Sequence, residues 1–114
     1  MGYRGYTHKV NNIEYGAASC SDFNLLSDLI YHYQEENDLY DMYVYEASDE
    51  WEFEVEDWEG LVNYFDNLSQ DEKEEIIKKF NISLEDLNYA IEDFKDWLED
   101  GKKAGTGWIT IDWF

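Results

Sequence analysis

Proline is absent from the 114 residues, cysteine occurs once and histidine twice. The lone Cys20 excludes an internal disulfide, and an inert, buried thiol is the ordinary state of such a residue. The two histidines, His8 and His32, are isolated. Neither has a second His or Cys at metal-ligand spacing, so no metal site is expected. His32 lies between Tyr31 and Tyr33 on an expected helix, where packing suits it better than catalysis. There is no D-x-[DN]-x-[DN]-G calcium loop and no Gly-rich phosphate loop, so no cofactor is expected. No apolar run reaches the ~20 residues of a membrane span, and no signal-peptide h-region opens the chain. These absences fit a bacterial or phage-infected cytoplasm. There is also no linker and no internal repeat, so residues 1–114 read as a single domain.

Bases are the scarcest feature. Eight Lys and Arg stand against 28 Asp and Glu, a net charge of −20. From Val10 to Glu72, 63 residues contain no Lys or Arg and 18 Asp or Glu. The bases clump at Arg4 and Lys9, Lys73 with Lys78 and Lys79, Lys95, and Lys102 with Lys103. Ordinary domains mix both signs at a net charge of about 2–8. No direct binding to DNA, RNA or anionic lipid is expected, because Lys and Arg hold those partners. Acidic disordered tails are poor in aromatics. This chain has five Trp, ten Tyr and six Phe, and is expected to fold around a core.

The pattern predicts an α+β domain. Residues 3–10 suggest a first strand with a polar turn at Asn11-Asn12, and 14–21 are ambiguous. Asp22 can cap a helix over 22–36, with Phe23, Leu26, Leu29, Ile30 and Tyr33 inward. A hairpin is expected over 39–47 and 50–56, turning at Ala47-Ser48-Asp49. In its second strand Trp51, Phe53 and Val55 alternate with Glu50, Glu52, Glu54 and Glu56, the sign of a half-buried antiparallel strand. A helix over 57–68 turns Trp58, Leu61, Val62, Phe65 and Leu68 inward. Ser69 and Glu72 form a capping-box pair for a helix ending near Asn81. Ser83 with Asp86 starts a last helix over 83–100 that Gly101 stops, with Leu87, Ile91, Phe94 and Leu98 inward. A terminal strand over 108–114 joins the small antiparallel sheet, on which three to four helices pack.

Two acidic rows emerge. Alternate strand residues lie about 6.6 Å apart, so Glu50, Glu52, Glu54 and Glu56 form a regular row. At about 100° per residue, Glu85, Glu92, Asp96 and Glu99 share a narrow sector opposite the apolar face, with no Lys in it. Asp57 and Glu59, next to the first row, complete the candidate partner-binding set. The helix around 71–80 mixes both signs and reads as an ordinary solvated surface. Tyr40, Tyr43, Tyr45, Tyr64 and Tyr89 are candidates for exposed interface tyrosines. A domain of this length has a radius of gyration of about 13 Å. Its diameter of roughly 34 Å matches a duplex segment of about 20 charges, at one per ~1.7 Å of axis.

A small, acidic, aromatic-rich single domain resembles the DNA-mimic inhibitors carried by phages and mobile elements, namely antirestriction proteins and some anti-CRISPR proteins. A more local resemblance is to ArdA-type antirestriction proteins. It rests on YEASDEWEFEVEDWEGLVNYFDNLSQDEKEEIIKKF, residues 45–80, about a third of the chain. The resemblance implies an inhibitor that binds in the nucleic-acid groove of a restriction enzyme or Cas effector, and the lack of a positioned nucleophile, metal set or phosphate loop predicts no enzymatic activity. The resemblance supplies no residue-level site. Three alternatives share the charge pattern: an immunity protein against a basic nuclease toxin, a small enzyme or housekeeping domain, and a halophile's solvated surface.

Overall fold

Strand alternation and helical periodicity divide the chain into eight described elements. The computed structural model describes residues 5–8, 15–18, 21, 23–39 and 50–113. In chain order they are β1 (Gly5–His8), β2 (Tyr15–Ala18), α1 (Phe23–Glu36), β3 (Glu50–Glu54), α2 (Val55–Asp66), α3 (Gln70–Phe80), α4 (Leu84–Ala104) and β4 (Trp108–Trp113). The strands form one antiparallel sheet in the order β2-β1-β4-β3. The fold is α+β, as the sequence pattern predicts. The last strand lies inside the sheet, between the first strand and β3.

Alternation along the strands separates two faces. Trp51, Phe53, Ile109 and Ile111 are buried, and Thr7 on β1 is buried with them. The alternate residues Glu52, Glu54 and Trp108 are exposed. The helices cover the first face. Phe23 at the start of α1 stacks on Trp51 at 5.0 Å between ring centroids. Trp58 of α2 sits between Phe53 at 4.8 Å, Phe94 at 5.3 Å and Trp97 at 6.1 Å. Its indole N–H donates to the Phe94 carbonyl at 2.9 Å, so this large ring is buried with its polar atom satisfied. Leu26, Leu29, Ile30 and Tyr33 of α1 and Leu87, Ile91, Phe94 and Leu98 of α4 are buried as their spacing requires. Both capping boxes form, Ser69 with Glu72 and Ser83 with Asp86.

Two expected boundaries are corrected. The strand expected over 50–56 ends at Glu54, and Val55 and Glu56 begin α2. The Val55 N–H makes its bond to the Gly107 carbonyl at 2.9 Å, and there the partner strand runs out. Gly105 and Gly107 take left-handed φ of 72° and 83° in the turn before β4, so no ladder continues. The chain enters a helix instead, with Glu56 and Asp57 in its first turn, where carboxylates favour the helix dipole. The expected helix 57–68 is therefore Val55–Asp66.

Gly101 does not stop the last helix. The helix runs three residues further to Ala104, and the left-handed Gly105 ends it. Gly101 is a contact residue: a Cβ there would collide with Ile109 Cγ1 and stand 2.9 Å from Ile109 Cδ1. Lacking a side chain, it lets α4 lie directly on β4. Two carboxylates tie the same helix down. Asp100 accepts from Thr7 Oγ1 on β1 at 2.6 Å, and buried Asp93 accepts from the Ser21 N–H before α1 at 3.0 Å. The expected strand 39–47 lies outside the described residues apart from Leu39. So do Cys20, the Asp22 cap, and Tyr40, Tyr43 and Tyr45.

Candidate acidic interface

The two acidic rows sit on opposite outer surfaces. Glu52 and Glu54 project from the sheet face away from the helices, opposite Thr110 and Trp108 in the β3–β4 register. Of Glu50 only the backbone is described, paired with Asp112. The α4 sector faces the other way, because Leu87, Phe94, Leu98 and Gly101 turn inward. Glu85, Glu92, Asp96 and Glu99 are all exposed there, with Tyr89, half exposed, beside them. One flat partner surface cannot meet both rows.

The first row is also broken at Glu56. That residue leaves the strand and joins Asp57 in the exposed first turn of α2. Glu52, Glu54, Glu56 and Asp57 thus follow the chain from an edge of the described sheet onto a helix N-terminus.

Counter-ions divide the ten candidates further. Glu59, half-buried, pairs with Lys102 at 2.7 Å and braces α2 against α4. On α4 itself, Glu92 pairs with Lys95 at 3.6 Å and Glu99 with Lys103 at 3.2 Å. Lys95 also reaches Asp66 of α2 at 2.7 Å. The expectation that no Lys shares the α4 sector is therefore corrected: the helix runs on to Ala104 and brings Lys103 into the sector itself, about five turns after Glu85, while Lys95 reaches in from its flank. Among the described residues, Glu52, Glu54, Glu56, Asp57 and Glu85 have no basic partner within ion-pair distance. Asp96 sits among like charges. Partial desolvation first, then Glu92, Asp100 and Glu99, push its carboxyl above the ordinary range.

A separate cleft of about 180 Å³ opens between α1, α2 and α3. His32 forms its floor, buried and edge-on to Phe80 at 5.9 Å. Lys79 Nζ lies 3.1 Å from its Nδ1, and Tyr64 Oη lies 3.3 Å from its Nε2. An ammonium can only donate, so Nδ1 accepts and Nε2 carries the proton toward Tyr64. Burial, and then the Lys79 charge, lower the His32 pKa against the opposing pull of Glu36 and Glu35. Burial, then Glu36 and Glu72, raise that of Tyr64. Of the tyrosines considered for an exposed interface, Tyr64 is half-buried in this cluster and Tyr89 is exposed. Among the described residues, no three His, Cys, Asp or Glu side chains are grouped to hold a metal ion, and no helix is long and apolar enough to cross a membrane.

The longest dimension of the domain is 41 Å, the length of a duplex carrying about 24 charges at one per ~1.7 Å. Sequence reasoning missed Trp108, which is 47% exposed beside Glu54. The signal lay in the sequence of the last strand, where Trp108, Thr110 and Asp112 alternate with Ile109, Ile111 and Trp113. No protein-family model, curated protein or solved structure matches this chain.

Proposed function

We propose that this protein is an inhibitor of a bacterial defence nuclease, a Cas effector or a restriction enzyme, and that it occupies the enzyme's basic DNA-binding surface in place of DNA. The observation that carries this reading is the run of unneutralised carboxylates at Glu52, Glu54, Glu56 and Asp57. A net charge of −20 opposes compaction by self-repulsion, so its retention points to a partner of opposite sign. Fields of this kind steer association and raise the rate of encounter. The protein acts by binding, without turnover, in the cytoplasm of the host cell.

The test is capture of a nuclease from host lysate, followed by competition. The captured enzyme is expected to be released by duplex DNA, and its association rate to fall steeply with added salt. A target that binds the protein and DNA together, with no dependence on salt, would overturn direct mimicry.

A further inference from the structure

Among the side chains described on the sheet face opposite the helices, one is a large aromatic ring, Trp108, and it stands with Glu52, Glu54 and Thr110. Trp108 is 47% exposed and directly opposite Glu54. Directly opposed residues have Cβ atoms about 4.5–5.5 Å apart, and diagonal neighbours about 7–8 Å, within reach of an aromatic side chain. Glu54 is the direct neighbour of Trp108 and Glu52 the diagonal one. Strands β3 and β4 contain no Lys or Arg. The backbone at Trp108 is held in place: its N–H donates to Thr106 Oγ1 at 3.2 Å, and the same hydroxyl donates to its carbonyl at 3.2 Å.

We infer that Trp108, Glu52 and Glu54 form a docking point for an arginine side chain of a basic protein partner. A guanidinium stacks on an indole face and presents a planar fork to a carboxylate. An ammonium satisfies the carboxylates but gains less from the ring. This separates the site from charge mimicry alone, which receives Lys and Arg alike. A second copy of this chain is disfavoured as the occupant, because each copy carries a net charge of −20. The inference deepens the proposed function and rests on the partner being basic.

The test uses the full chain and two capped tripeptides, tri-arginine and tri-lysine, at equal ionic strength. The readout is the set of indole N–H resonances in a ¹H–¹⁵N spectrum. The Trp108 signal is identified by triple-resonance assignment of the parent protein. Tri-arginine is expected to shift that signal saturably and to bind roughly two- to five-fold tighter than tri-lysine. Trp108→Ala removes the preference while weak, charge-driven binding of both peptides remains. Glu52→Gln with Glu54→Gln, at exposed positions, abolishes the shift of Trp108, which keeps the test decisive if Trp108→Ala does not fold. Equal affinities, an unmoved Trp108 signal, or self-association through this face would overturn the inference. The assay contains no nuclease, so it fails or succeeds independently of the proposed mimicry. Arginine preference without DNA competition leaves the docking point standing, and competition with a silent Trp108 removes it.

Discussion

Glu52 and Glu54 on β3 and Glu92 and Glu99 on α4 are the same side chain at exposed positions, yet they stand in different fields. On α4, Lys95 and Lys103 come within 3.6 and 3.2 Å of the carboxylates. On β3 no described base approaches. The difference teaches that an acidic row is defined by what stands beside it. A helix brings residues three and four positions apart into contact. In the described sheet, β3 alternates Glu with aromatic residues and sets beside its acids no described base, with Thr110 and Trp108 across the register.

The comparison is broken most directly by charge reversal. Glu52→Lys, Glu54→Lys and Glu56→Lys together are expected to weaken target binding by roughly 100-fold, taking about 1 kcal/mol for each contact. The matching triple change at Glu92, Asp96 and Glu99 is expected to cost about tenfold or less, since its surface is already diluted by lysines. Equilibrium titration of the three proteins against the captured target decides the matter, and equal losses would erase the distinction between the faces.

The seating of α4 on the sheet is tested at Gly101. Gly101→Ala forces a Cβ into Ile109 and should lower stability by about 1–3 kcal/mol in urea unfolding. An interior glycine with open space around it would instead gain stability from the change, because Ala favours a helix interior.

The third test is acidification. His32 has a folded pKa below its ordinary 6.5. The unfolded chain therefore binds the extra proton first as pH falls. The stability linked to His32 is complete above about pH 6.5 and is lost as the pH drops from there toward the lowered folded value. Lys79 opposes protonation, and Glu35 and Glu36 favour it. Glu72, Glu75 and Tyr64 also line the cleft. His32→Gln should flatten this part of the urea-midpoint profile relative to the parent protein. A parallel profile would show that the imidazole does not titrate against folding.

The smallest effect sharpens the comparison from the other side. Lys95→Met with Lys103→Met frees Glu92 and Glu99. Target binding should tighten by a few-fold if α4 touches the partner, while stability changes by less than about 1 kcal/mol for such exposed pairs. Unchanged affinity would place the whole interface on the sheet side.

Local signals were legible where the physics is local. The spacing of Leu26, Leu29, Ile30 and Tyr33 marks α1, and Ser69-Glu72 and Ser83-Asp86 mark two helix starts, because caps and helical faces involve residues within a turn or two. Alternation of Trp51 and Phe53 with Glu52 and Glu54 identified a half-buried strand for the same reason. The acidic excess and the lack of bases from Val10 to Glu72 needed only counting. Val55 fitted the strand's period and the next helix equally well. Its place was decided by the distant turn at Gly105–Gly107, where the pairing strand runs out. Gly101 carries the residue type of a helix stop, and only the approach of Ile109 shows why it lies inside a helix. Glu59 resembled its acidic neighbours until folding brought Lys102 to 2.7 Å. Composition and periodicity thus determined that this chain makes an acidic α+β domain. Tertiary contacts between residues distant in sequence decided which carboxylates are spent on holding it together and which are left facing outward.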